Sequence, residues 1–96
     1  MINLDGTIPV PYKDKVYNIP ICIYILETHP YKPPIVYVKP TWSMQIIKRR
    51  YVDATGKVNL PYLLDWEYPQ SDLLRMVQIL VIEFSGMPPV VARASS

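Results

Sequence analysis

The chain has 96 residues, half of them hydrophobic, and a formal net charge of +2. This length limits it to one domain, residues 1–96, and the small net charge gives no reason to propose nucleic acid or an anionic membrane as a partner. A single cysteine excludes an internal disulfide framework; without a long apolar run or a signal-peptide pattern, a cytoplasmic location is the default expectation.

The N-terminal segment, residues 1–12, predicts an edge strand. Apolar side chains recur with period two, as at Ile8 and Val10, which is typical of a strand with one buried face. Pro9 and Pro11 fall on the opposite face and cannot donate hydrogen bonds to a neighbouring strand. The strand is therefore expected to lie at the edge of a sheet or to be irregular at its end.

The next segment predicts the partner of this strand. Residues 13–15 form a short polar hairpin connection, and residues 16–27 carry apolar side chains on both parities. This pattern predicts a central strand that is covered on both sides for much of its length. Pro20 interrupts the strand and predicts a bulge or an early twist, and Cys22 is expected to be a buried small hydrophobe.

The middle of the chain predicts mainly loops. A proline-rich loop at residues 28–34 precedes a short third strand at residues 35–38. Residues 39–57 show no regular period, and their basic triplet, residues 48–50, is typical of a solvated loop. A fourth short strand is expected at residues 57–60, and the ten residues after it again show no period.

The clearest helical pattern opens at Ser71 and Asp72. Ser71 is the expected N-cap, and Asp72 suits the positive end of the helix dipole. Gly86 is the expected C-terminal cap, because the two prolines at residues 88–89 prevent continuation and predict an extended tail. The apolar positions share one helix face, which predicts packing across the sheet; they are Leu73, Met76, Val77, Leu80, Val81 and Phe84.

The chain carries few residues suited to catalysis. Its single histidine, His29, has proline neighbours and no nearby serine or cysteine. Asp53 and Asp65 could form an acid–base pair, but Asp53 belongs to a turn, which argues against this role. No cofactor or metal is predicted, because zinc-type clusters and glycine-rich phosphate loops are missing. Tyrosines, prolines and a methionine near loops instead favour a groove for proline-containing peptides, although each tyrosine alone is typical of a strand core.

The proline-rich loop resembles the signature of ubiquitin-conjugating enzymes. Residues 29–34, HPYKPP, match an aromatic-Pro-x-x-Pro-Pro motif, and the turn at residues 53–56, Trp66 and the helix follow in the same order. The active enzymes have a His-Pro-Asn motif before that turn, where this chain has residues 51–53, and a cysteine after it, where this chain has Asn59. The resemblance therefore implies a variant without enzymatic activity, a UEV domain.

The chain particularly resembles one branch, the UEV domain of the ESCRT-I tumour-susceptibility protein family. This resemblance implies an α+β fold, a ubiquitin-conjugating-enzyme-like antiparallel β-meander with a C-terminal helix packed on it. Relative to that family, the N-terminal helix, the first strand and the following hairpin are expected to be missing. The edge left exposed predicts self-association or marginal stability. The stretches that carry the resemblance are residues 6–12, 17–22, 38–41, 52–54, 60–63 and 69–74.

The resemblance also implies binding partners. The family binds Pro-Thr/Ser-Ala-Pro late-domain peptides in a groove and ubiquitin on a separate surface. Tyr37 stands on the implied ubiquitin face and is expected to bind ubiquitin weakly by itself. The family has an aromatic at Val91 and a serine at Ala92, so part of the groove wall and one possible hydroxyl contact are expected to be lost. The positions that match the peptide groove are Thr7, Tyr12, Tyr17, Asn18, Ile19, Pro20, Thr41, Met44, Pro88, Val90 and Arg93.

These residues lead to one favoured function and two alternatives. The favoured function is a non-catalytic adaptor in endosomal cargo sorting and viral budding, cytoplasmic and associated with endosomes. The first alternative is a binding-impaired fragment or short isoform that associates with itself through its exposed edge. The second is residual conjugating activity, which would require a ubiquitin thioester on Cys22 and is opposed by Asn59.

Overall fold

The computed structural model describes residues 2–92. Strands β1, β2 and β3 form an antiparallel sheet in that order, and β4 pairs with β5 in a small second sheet. Helix α2 packs on the larger sheet, which confirms the predicted α+β meander with a C-terminal helix. The elements in these residues are β1 (Ile2–Tyr12), β2 (Lys15–Ile25), β3 (Ile35–Val38), β4 (Met44–Ile46), α1 (Pro61–Leu64), α2 (Leu73–Gly86) and β5 (Val90–Ala92).

The β1–β2 hairpin forms most of the larger sheet. Its strands pair over their whole length, from Ile2 opposite Ile25 to Tyr12 opposite Lys15. The turn between them is two residues long, and Lys13 adopts the left-handed region with a φ of 56°. Among the described residues β1 has β2 as its only strand neighbour, so the predicted edge strand is confirmed.

The bulge predicted at Pro20 does not form, because the two strands stay in register through the pair Thr7–Pro20. The Pro20 carbonyl accepts a hydrogen bond from the Lys39 amide at 2.9 Å. The N–H that Pro20 lacks would point to the same side, toward β3. There the last pair is Ile21 with Val38. The proline therefore removes no hydrogen bond between β1 and β2, and on the β3 side it lies one position beyond the last strand pair.

Helix α2 supplies the layer that covers the sheet. Its N-cap is Asp72, whose side chain accepts a hydrogen bond from the Arg75 amide at 2.7 Å. The prediction of Ser71 as N-cap was wrong by one residue, because the Ser71 hydroxyl accepts from the Glu67 amide instead, at 3.0 Å. Gly86, the expected cap, is the last helical residue. The predicted stripe is confirmed: Met76, Leu80 and Phe84 are buried, and Leu73, Val77 and Val81 are half-buried against the core.

Between β3 and α2 the structure departs from the sequence pattern. Strand β4 and helix α1 lie where no regular element was predicted. The fourth strand expected at residues 57–60 is reduced to isolated bridges from Lys57 to Tyr37 and from Val58 to Val52. Segments of three or four residues contain too few side chains to establish a period.

The predicted turn that ends at Gly56 is held by its own side chains. The Asp53 carboxylate accepts hydrogen bonds from the Thr55 hydroxyl, the Thr55 amide and the Lys57 amide. These bonds, led by the Thr55 hydroxyl, lower the pKa of Asp53. Gly56 has a φ of 92°, and a Cβ there would lie 2.5 Å from the Val38 carbonyl oxygen. This position therefore requires glycine.

Candidate functional site

A groove of about 480 Å³ opens beside the turn of the β1–β2 hairpin. Three separate segments form it: the hairpin, the stretch around β4, and the tail that contains β5. Most of the side chains that line it are apolar, and no carboxylate does so within the described part of the chain. The lining residues are Tyr12, Tyr17, Asn18, Ile19, Ser43, Met44, Arg49, Pro88, Val90 and Val91.

Two tyrosines form the hairpin side of the groove. The rings of Tyr12 and Tyr17 lie with their centroids 6.4 Å apart and their planes at 53°. Tyr17 is 46% exposed, whereas Ile19, two residues further along the same face of β2, is buried. The groove therefore presents aromatic faces to solvent above an apolar floor, which suits a flat apolar ring such as proline.

The small β4–β5 sheet forms the opposite side. Met44 pairs with Ala92, and Ile46 pairs with Val90. Beyond this pairing the Ile47 amide donates to the Pro89 carbonyl at 2.7 Å. These contacts hold the extended tail against β4, which places Met44 and Val90 on one wall.

The structure brings together most of the residues that the family resemblance assigned to a peptide groove. Seven of them line the cavity: Tyr12, Tyr17, Asn18, Ile19, Met44, Pro88 and Val90. Thr7 and Pro20 lie opposite each other further along the hairpin, outside the lining. Thr41 lies beside the groove, where its hydroxyl is 3.0 Å from that of Ser43. Arg93 lies outside the described residues.

Two lining residues escaped the sequence interpretation. Ser43 carries no pattern of its own, and Arg49 belongs to the basic triplet that was interpreted as a solvated loop. The Arg49 side chain instead reaches the tail, where its Nε donates to the Pro88 carbonyl at 2.9 Å. This contact joins positions 39 residues apart, so no local sequence pattern predicts it. Val91, where the resemblance led us to expect the loss of an aromatic, also lines the groove.

The residue proposed for ubiquitin lies on the other face of the sheet. Tyr37 packs edge-on against Tyr24, with ring centroids 6.0 Å apart, and the Lys39 Nζ lies 5.1 Å from the Tyr37 ring. Beside them the Cys22 thiol is buried and donates to the Asn3 side-chain oxygen at 2.8 Å. This aromatic pair is separate from the groove, and Tyr24 was not singled out in the sequence.

The positions considered for catalysis do not form a reactive centre in the described residues. Burial raises the pKa of the Cys22 thiol, which disfavours the reactive thiolate. Asn59 is exposed, and its backbone N–H donates to the Tyr51 carbonyl at 2.7 Å. The His29 ring lies against Trp66, 5.9 Å between centroids. Across residues 2–92 no three His, Cys, Asp or Glu side chains converge as metal ligands, and no helix is long and apolar enough to span a membrane.

Comparison with known proteins defines the class. The family model of the UEV domain matches residues 1–92, so the chain belongs to the UEV domain family. Together with the sheet and helix, this membership confirms the ubiquitin-conjugating-enzyme-like fold.

Within that class the chain is similar to proteins of animals, plants and amoebae. It is 54% identical over 96 residues to the human Tumor susceptibility gene 101 protein, covering 100% of this chain and 25% of the relative. It is 46% identical over 95 residues to Protein ELC of Arabidopsis thaliana, covering 97% and 24%. The ESCRT-I complex subunit tsg101 of Dictyostelium discoideum is 33% identical over 67 residues, covering 69% and 14%. The chain thus spans about a quarter or less of the length of these relatives.

Proposed function

We propose that this chain is a non-catalytic adaptor domain that binds Pro-Thr/Ser-Ala-Pro late-domain peptides in ESCRT-I cargo sorting and viral budding. The observation that supports this most is the convergence of Tyr12, Tyr17, Met44 and Val90 on one apolar groove. A relative whose name places it in the ESCRT-I complex supports the pathway. A cytoplasmic, endosome-associated location follows from the same proposal.

The chemistry of the groove fits an extended, proline-rich ligand. Its volume of about 480 Å³ falls in the ordinary range for small ligand sites. Proline rings pack on the faces of Tyr12 and Tyr17, and a polyproline-like peptide enters with its conformation largely preformed. The polar groups of Asn18 and Ser43 lie within reach of a peptide backbone whose amides and carbonyls need partners.

The expected affinity is modest. A Pro-Thr-Ala-Pro core has about 26 heavy atoms, and at roughly 0.3 kcal/mol per atom its binding free energy is limited to about −8 kcal/mol before ordering costs. That limit corresponds to a dissociation constant of about 1 μM or weaker.

The absence of conjugating activity rests on two positions. The resemblance to ubiquitin-conjugating enzymes implies that Asn59 stands where the active enzymes carry the cysteine nucleophile, and an amide side chain cannot form a thioester. Cys22 is the only cysteine, and it is buried in β2 with a raised thiol pKa. This part of the proposal would be contradicted by a ubiquitin adduct that forms on the wild-type chain, is cleaved by a thiol reductant and does not form on Cys22→Ser.

Calorimetric titration tests the peptide function. An acetylated and amidated Pro-Thr-Ala-Pro peptide should bind the wild-type chain, and Tyr17→Ala should weaken binding at least about tenfold, because stacking on an aromatic face is lost. Tyr31→Ala is the matched control, since Tyr31 is exposed but stands against Tyr68, away from the groove. An Ala-Thr-Ala-Ala peptide that binds equally well would contradict the proposal.

Ubiquitin is proposed as a second and weaker partner on the other face of the sheet. The exposed parts of Tyr24 and Tyr37 form a small aromatic surface there. Adding ubiquitin to the ¹⁵N-labelled chain should shift the Tyr37 amide and leave Tyr17 unchanged. Shifts at Tyr17 alone would remove this partner from the proposal.

A second candidate function is self-association through β1. At the end away from the groove, Ile2 and Leu4 are 62% and 45% exposed. The hydrogen-bonding groups of Pro20 face β3, so those of Thr7, its partner in the register, face outward from β1. Because the direction of the backbone N–H groups alternates along a strand, those of Asn3 and Asp5 also point outward, and no strand among the described residues pairs with them. This half of the edge is free to accept another strand.

A second copy fits this edge in a register centred on Leu4. An antiparallel pairing centred on Leu4 places Leu4 opposite Leu4 and Asn3 opposite Asp5, which buries apolar surface and opposes no charges. Centring on Asp5 would oppose two carboxylates and is disfavoured. In light scattering the average mass should rise with concentration, and Leu4→Lys should abolish the rise. Val16→Lys, at an exposed position near the turn, should retain it; a monomer at every concentration would exclude this candidate.

A further inference from the structure

Arg49 is the one formally charged side chain among the residues that line the groove in the described part of the chain. The other lining groups are tyrosines, an asparagine, a serine and apolar side chains. A peptide that needed only proline stacking and backbone hydrogen bonds would not require a cation at this position. The charge of Arg49 therefore bears on which peptides the groove selects.

The position of Arg49 is fixed from two directions. Its Nε donates to the Pro88 carbonyl at 2.9 Å, which anchors the guanidinium on the tail. Its backbone exchanges hydrogen bonds with Val52, at 2.8 Å from the Arg49 amide and 3.3 Å to the Arg49 carbonyl. A side chain held in this way loses less conformational entropy when a ligand binds it than a free surface arginine does.

The guanidinium retains unused donors. One N–H of its five is committed to Pro88, which leaves the two terminal nitrogens for a ligand. Within residues 2–92 no carboxylate forms an ion pair with Arg49. Glu83 of α2 lines a small neighbouring depression together with Arg49 and Arg50. The half-buried Arg49 thus lines a groove in which none of the other described lining residues carries a counter-charge.

We propose that Arg49 selects, among proline-motif peptides, those that carry a carboxylate directly beside the proline-containing core. This inference rests on the proposed peptide-binding function and names the class of ligand within it. A planar guanidinium pairs with a carboxylate through two parallel hydrogen bonds, which a neutral amide cannot reproduce. Since the site is partly open to solvent, the gain over a matched neutral peptide is expected to be roughly two- to fivefold.

The test compares four peptides by calorimetry. Three are acetylated and amidated. In the first, the Pro-Thr-Ala-Pro core is flanked by glutamine on both sides; in the second, glutamate replaces the glutamine before the core; in the third, glutamate replaces the glutamine after the core. The fourth ends directly after the core with a free carboxylate. Side-chain and terminal carboxylates share the same chemistry, and these peptides distinguish the two sources.

Each peptide is titrated into the wild-type chain, Arg49→Gln and Arg50→Gln. At least one carboxylate peptide should bind the wild type roughly two- to fivefold more tightly than the glutamine peptide, and this ratio should shrink as salt screens the pair. Arg49→Gln should bring the ratio to one. Arg50→Gln should keep it, because Arg50 stacks on Tyr51, 5.1 Å from the ring, and does not line the groove.

The outcomes separate this inference from the proposed function. Equal binding of all four peptides to the wild type, or a preference that persists in Arg49→Gln, would overturn the role of Arg49 and leave peptide binding intact. Failure of the glutamine peptide and all others to bind would overturn the peptide-binding function and this inference with it. A gain confined to the free-acid peptide would assign the carboxylate to a chain terminus and support the role of Arg49.

Discussion

The two ends of the β1–β2 hairpin share one strand pair but differ in what lies beside them. At the turn end, Tyr12 and Tyr17 face the small β4–β5 sheet across a groove. At the other end, Ile2 and Leu4 project from the same face of β1 and remain exposed. The alternation of apolar residues is similar at both ends. A groove forms where distant segments supply a second wall, and an open apolar surface remains where none of the described residues does.

The prolines reinforce this difference. Pro9 and Pro11 occupy the parity of β1 whose amides point outward, so the half of the edge nearest the groove cannot donate hydrogen bonds to another strand. The half that contains Asn3 and Asp5 carries no such block. Edge protection and the groove thus coincide at one end of the hairpin, and the proposed self-association is confined to the other.

The largest expected effect comes from the core that both ends share. Leu80 is fully buried in the middle of α2. Leu80→Ala should lower the free energy of unfolding by about 2–5 kcal/mol, because it removes buried contacts and leaves a cavity. Urea denaturation followed by circular dichroism measures the loss. Ile82→Ala is the control: Ile82 is 69% exposed on the same helix, and its change should stay within about 0.5 kcal/mol. Equal losses would mean that α2 is packed differently.

A smaller effect should distinguish Gly56, which lies beside β4 on the groove side, from Gly6 in β1. At Gly56 a new Cβ would lie 2.5 Å from the Val38 carbonyl oxygen and 2.9 Å from the Ile46 Cδ1 of β4, on the groove side. Gly56→Ala should therefore cost about 1–3 kcal/mol and weaken peptide binding. Gly6→Ala, in β1, meets no atom within 4 Å and should be neutral or slightly stabilising. Chemical denaturation and calorimetry compare the pair, and similar costs would contradict the described turn.

The smallest expected effect is a dependence of stability on pH at Asp53. Hydrogen bonds from Thr55 and Lys57 lower the pKa of this carboxyl below its unfolded value of roughly 3.9. Its stabilising contribution is therefore complete above that unfolded value and is lost as pH falls through the folded pKa. The urea midpoint of the wild type should exceed that of Asp53→Asn at pH 7, and the difference should shrink in acid. A difference that stays constant with pH would contradict this assignment.

The sequence predicts the long elements of the fold well and the short ones poorly. β1, β2 and α2 each repeat a period often enough to be recognised, and the stripe through Leu80 identifies the covering helix. Strands β4 and β5 have three residues each and exist because they pair with each other, which no local pattern shows. The bulge expected at Pro20 was wrong because the pattern does not show where β3 ends.

The same reasoning applies to the groove. Tyr12, Tyr17 and Met44 were assigned to it from motifs that resemble a known family, and the structure places all three on its walls. Arg49 was interpreted as part of a solvated loop, because its position depends on a contact with Pro88, 39 residues away. Short motifs reveal the resemblance to a family, whereas a contact between distant loops becomes visible only in the folded structure.

The central claim, that the turn end of the hairpin is the peptide-binding end, is tested most directly by one NMR titration. A Pro-Thr-Ala-Pro peptide is added to the ¹⁵N-labelled chain, and amide shifts at both ends are followed in the same spectra. The account predicts saturable shifts at Tyr17, Met44 and Val90, with Leu4 unchanged. Shifts centred on Leu4, or none in the groove at peptide concentrations far above the expected dissociation constant, would contradict it.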